Sequence, residues 1–166
     1  MHWLAGLALF AFVPFAAHAA DGATVERIDV LDTGVYTVEA GAVTADPDAP
    51  GGEITAVPVA TNVEATTEIT GKLGLEFGLR YVIVGTPEGS DVPLDFVIRY
   101  PTDGLKDPAE AEPILETRFS RDKAIGETLY LGYGFENDWE IVPGTWTFEI
   151  AHDGKTLVTQ AFTVMK

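Results

Sequence analysis

Few side chains in this 166-residue sequence are equipped for catalysis: carboxylates abound, but past residue 20 there is one histidine, His152, and two serines, Ser90 and Ser120. There is no cysteine, so a Cys-His nucleophile cannot be built, and a zinc site with several His or Cys ligands is excluded by count. A Ser-His-Asp site would need His152, at the tip of an expected hairpin, to meet one of two loop serines. The chain is therefore not expected to be an enzyme. A glycosidase-like carboxylate pair would draw on Glu136, Asp138 and Glu140 beside Trp139, whose ring could stack on a sugar. The simpler arrangement puts Phe135 and Trp139 in the core or at its edge, with the acids in water.

Calcium asks for several loop oxygens, which Asp46, Asp48 and Glu53, or Glu136, Asn137 and Asp138, could supply. Neither cluster has the ordered spacing of an EF-hand loop, so solvated acidic loops are the expectation, with no cofactor. Tyr130, Tyr133, Trp139 and Trp146 could form an aromatic strip, though aromatics on alternating strands usually fill the core. Charged groups on strands must find water or a partner. For Glu136, Trp139, Glu140, Arg80 and Arg99, with Arg118 nearby, the alternatives are carboxylate–arginine bridges across a sheet or a polar recognition patch.

The elements that position these residues repeat with period two, and no segment keeps helical spacing for three turns. Phe77, Leu79, Tyr81 and Ile83 share one strand face; Leu94, Phe96, Ile98 and Tyr100 share another. Leu129, Leu131, Tyr133 and Phe135 repeat the pattern, as do Trp146, Phe148 and Ile150. Weaker strands are expected over 25–31, 35–39, 54–63, 114–119 and 157–164. Turns are expected at Asp32-Thr33-Gly34, Thr86-Pro87-Glu88-Gly89, Thr102-Asp103-Gly104, Val142-Pro143-Gly144 and His152-Asp153-Gly154. For the last, a three-residue loop would set Phe148 opposite Val158, and a two-residue turn would set it opposite Thr159. The longer loop is preferred because Val158, Phe162 and Val164 make the more apolar face, although Gln160 interrupts it. Residues 40–52 and 101–113 read as exposed loops, with a short helical turn around 108–111.

The first twenty residues read as a secretory signal peptide: an uncharged apolar run from Leu4 to Phe15 ends in Ala17-His18-Ala19-Ala20, with cleavage expected after Ala19 or Ala20. The run falls short of the roughly 20 residues that span a bilayer, and Pro14 interrupts it, so stable membrane insertion is not expected. Without cysteine, neither a lipidated cysteine nor a disulfide is available. Residues 21–166 make one domain that must be stable through its core alone. The net charge of -16 lies entirely in that domain and repels nucleic acid and anionic lipid. Its first part is the most acidic: residues 21–70 hold ten acidic side chains against Arg27 alone.

Phe77-Gly78-Leu79-Arg80-Tyr81, Gly85-Thr86-Pro87 with Gly89, Arg99-Tyr100-Pro101, Gly104-Leu105, Ile125-Gly126, Tyr133-Gly134-Phe135-Glu136, Trp139-Glu140 and Pro143-Gly144-Thr145-Trp146-Thr147-Phe148 follow one another in this order. In that order they resemble the exported bacterial family called domain of unknown function 3859, over nearly all of residues 21–166. The resemblance implies an immunoglobulin-like β-sandwich in a Gram-negative envelope, and it implies no activity. The composite expectation is an all-β, single antiparallel immunoglobulin-like β-sandwich of about seven to nine strands. It would be periplasmic and non-catalytic, contacting another envelope protein through a sheet edge or end loops. A module for calcium or a saccharide is the alternative, and a carboxylate hydrolase the remote one.

Overall fold

The computed structural model describes residues 22–47 and 49–166; the expected signal peptide and Asp48 lie outside them. Eleven strands follow in order: β1 (Thr24–Glu39), β2 (Val43–Ala45), β3 (Glu53–Thr55), β4 (Val59–Ala65), β5 (Glu68–Thr70), β6 (Glu76–Thr86), β7 (Asp91–Arg99), β8 (Glu116–Ala124), β9 (Thr128–Gly134), β10 (Gly144–His152) and β11 (Lys155–Met165). One sheet has the order β4-β1-β6-β9 and the other β5-β11-β10-β7-β8, while β2 and β3 form a separate hairpin. The nine sandwich strands fall within the expected seven to nine. All pairings are antiparallel except β5, which lies parallel to β11.

Period-two patterning built this core as anticipated. Phe77, Leu79, Tyr81 and Ile83 of β6 are fully buried, and Leu94, Phe96 and Ile98 of β7 with Trp146, Phe148 and Ile150 of β10 face them. Phe77 is the hub. Its ring lies 5.3 to 5.6 Å from those of Phe135, Trp146, Phe148 and Phe162, distances at which offset and edge-to-face contacts add to burial.

Five expectations need correction. Asp32-Thr33-Gly34 is not a turn: β1 runs straight through it, bulging between Val30 and Asp32. A Cβ on Gly34 would stand 1.8 Å from the Glu64 carbonyl oxygen, so glycine serves a close backbone approach there and not a reversal. The strand expected over 54–63 breaks at Pro58, which cannot donate to a ladder, and the expected loop over 40–52 contains β2. The segment around 108–111 is a turn closed by the Glu110 N–H to the Asp107 carbonyl, without a helix. Finally, Phe148 pairs with Gln160 and not with Val158 or Thr159. The turn is the two-residue one, with Asp153 and Gly154 both at positive φ, and a bulge beyond Ile150 then moves the register. Val158, Phe162 and Val164 still face the core.

Candidate functional site

The five residues expected to form a recognition patch do not come together. Arg80 lies on the outer face of the β1–β6 sheet, where its Nε donates to Asp32 Oδ1 at 3.0 Å. That guanidinium holds the Asp32 carboxyl below the usual carboxylate range, and the Tyr36 hydroxyl donates to the same carboxylate. Arg99 lies on the outer face of the other sheet, bridging Glu116 and Glu149. Arg118 joins this bridge through Glu116, whose carboxyl is lowered chiefly by the Arg118 hydrogen bond.

Glu140 is 4% exposed and satisfied locally. Its carboxylate accepts the backbone N–H groups of Glu136 and Asn137, each at 2.6 Å, and the Tyr133 hydroxyl at 3.1 Å. Glu136 points to solvent, and Trp139 packs against the core. Trp139 also borders a cleft of about 460 Å³ with Asn137, Asp107 and Glu110. The acidic hairpin between β2 and β3 carries Asp46 and Glu53. Among the described residues, no group of three or more His, Asp or Glu is arranged to hold a metal ion. His152 Nδ1 donates to the Pro93 carbonyl at 2.8 Å, and Ser120 donates to Asp95 on an outer face, so neither approaches the other as a nucleophile and base would.

A broad concavity lies elsewhere, along β9. This strand pairs with β6 on one side and, among the described residues, with no strand on the other. The Phe135 N–H donates to Leu75 in the same register, which leaves Thr128, Tyr130, Gly132 and Gly134 with N–H and C=O groups turned to the open side. A cavity of about 1000 Å³ runs along that side and touches every residue from Glu127 to Gly134. Inward-facing and outward-facing side chains both contribute, as an edge-on groove requires. Its second wall is the inner face of β8, from Thr117 through Phe119 and Arg121 to Lys123, and its third is the chain from Ala40 to Ala60 that includes the β2–β3 hairpin.

The other edge strands of the two main sheets carry charge: Glu64 on β4, Glu68 on β5, and Glu116, Arg118, Arg121, Asp122 and Lys123 on β8. The seven residues of β9 carry none and include no proline, so the usual guards against strand addition are missing there. That uncharged run was visible in the sequence; its position at an edge was not. Beneath it, on the outer face, Tyr130 donates to Glu76 Oε1 at 3.0 Å and packs on Tyr36 with ring centroids 4.9 Å apart. Burial pushes the Glu76 carboxyl up to about 7, and burial also raises the Tyr130 hydroxyl.

A family model described as domain of unknown function (DUF3859) matches residues 24–164. The fold is similar to that of an immunoglobulin-like protein from Pseudomonas aeruginosa, whose crystal structure aligns with a TM-score of 0.56 at 25% sequence identity, covering 84% of this chain and 95% of that one. No curated protein matches the chain in sequence.

Proposed function

The chain belongs to the family described as domain of unknown function 3859, with an immunoglobulin-like fold, and on that premise we propose that it is an exported, periplasmic, non-catalytic module binding a protein partner by strand addition. The observation that carries this reading is the β9 edge: an uncharged strand paired on one side alone, whose open side lines a groove of about 1000 Å³. A partner segment laid there gains main-chain hydrogen bonds from alternate β9 residues. Its alternating side chains enter the space between β8 and β9 or lie toward Tyr130 and the glycines.

The test is selection from a pool of random octapeptides by the protein and by its Thr128→Pro variant. Thr128 is exposed, and proline removes one outward N–H at the first position of the strand, where it is best tolerated. Enriched peptides should alternate apolar and polar residues, and their capture should fall at least tenfold with the variant. No enrichment, or equal capture by the variant, would overturn the reading.

A second reading rests on the cleft beside Trp139, whose lining of an indole, Asn137, Asp107 and Glu110 has the residue types that a saccharide site uses. A rise in Tm with envelope saccharides that disappears in Trp139→Ala would favour it over the edge.

A further inference from the structure

The β9 groove is electrically polar along its length. At the end where β9 begins, Arg121 and Lys123 stand on the inner face of β8, and among the described residues neither forms an ion pair with a carboxylate. Glu127 is nearby but exposed to solvent. At the end where β9 finishes, the charges are acidic: Glu76 lies opposite Gly134, and Glu136 and Glu140 follow directly in the chain. Arg121 donates to the Ser120 carbonyl and lies over the Phe119 ring, and Glu127 acts on Lys123 from solvent, yet neither half-buried cation has an ion-paired carboxylate in a chain of net charge -16.

The basic end is also a closed end. The three residues Ile125, Gly126 and Glu127 carry the chain from β8 in one sheet to β9 in the other. Ile125 is buried and donates its N–H to Ser90, and Gly126 donates to Ile83, so this crossover is fastened to both sheets. A guest strand lying along β9 runs into it. A segment from the middle of a partner would have to continue through that obstruction, whereas a chain terminus simply stops.

Resting on the strand-addition reading above, we infer that the groove takes the C-terminal segment of a partner protein as a strand antiparallel to β9, with its terminal carboxylate held by Arg121 and Lys123. Antiparallel placement puts the guest's C-terminus at the start of β9, where the cations are, and points its preceding residues toward the acidic end. The same direction gives the better ladder geometry. Charge, direction and the closed end agree on one occupant. Terminal carboxylates are held elsewhere by backbone N–H groups or by cations in this manner.

The experiment uses random octapeptide pools synthesised with a free C-terminal carboxylate or with a C-terminal amide. Each is selected on the protein and on the Arg121→Gln/Lys123→Gln double variant. The free-acid pool should enrich at least tenfold over the amide pool, and the double variant should abolish that difference. Equal enrichment of both pools would overturn the C-terminal assignment and leave strand addition standing. Amide peptides that depend on Arg121 and Lys123 and carry an internal Asp or Glu would replace the terminus with a side chain. A free-acid preference that survives in the double variant would remove the two cations from the site. Enrichment of neither pool would end both readings. The acid-to-amide comparison is made on the unaltered protein, so it stands even if the double variant folds poorly.

Discussion

Glu76 is the residue whose chemistry the fold alters most usefully. Its ordinary value is 4.5, and burial beneath Tyr130 raises it to about 7. Between these values the folded chain holds a proton that the unfolded chain has released, so the native state binds more protons. Stability from this group is therefore complete below about pH 4.5 and is lost as pH rises through 7. The loss is on the order of 3 kcal/mol. Asp32 and Glu116 shift downward, so their contributions disappear only at acid pH, below the Glu76 window. Denaturant unfolding from pH 4.5 to 8 should show falling stability in the protein and a flatter profile in Glu76→Gln. Parallel profiles would disprove the assignment. At this scale the buried aromatics were legible from alternation alone. The role of Glu140 was not, because the donors its carboxylate accepts from are N–H groups three and four residues back, presented only once that turn has formed.

At the scale of elements, glycine carried two meanings, and the sequence does not distinguish them. Gly154 marks a reversal, as its dipeptide with Asp153 suggested; Gly34 marks a place where two strands approach too closely for any side chain. Gly34 pairs with Gly78, which pairs in turn with Gly132, so three glycines line up across the sheet where a sequence pass sees three unrelated breaks. Gly34→Ala should cost roughly 2 to 4 kcal/mol, since the new methyl meets a backbone carbonyl and the residue keeps φ 149°. A lowered denaturation midpoint at unchanged slope would be the sign; an unchanged midpoint would show that β4 yields freely. The strands themselves were legible because one face of each is buried. The β10–β11 register was not, since a single bulge outweighs the turn residues that would set it. The groove was illegible for a related reason: an uncharged run such as β9 becomes an open edge only through strand order, which depends on pairings between distant segments.

For the molecule as a whole, charge governs behaviour in solution. A net charge of -16 on a domain without disulfides opposes its own compaction. Raising ionic strength from about 0.01 M to about 0.15 M shortens the screening length from about 30 Å to about 8 Å. Tm should rise by a few degrees over that interval, and a flat or falling Tm would mean that the Arg80 and Arg99 bridges outweigh the repulsion. Salt should have the opposite effect on a captured C-terminus, because the attraction of its carboxylate to Arg121 and Lys123 weakens under the same screening. Stability and affinity would then move apart in one titration.

The place of β11 bears on time as well as space. As the final strand of the chain it lies between β5 and β10, and it supplies Val158, Phe162 and Val164 to the core. A chain emerging from its amino end can pair β1 with β6, yet it cannot close the second sheet until residue 164 is free. Until β11 is in place the second sheet lacks the strand that joins β5 to β10, so the first sheet can form ahead of it.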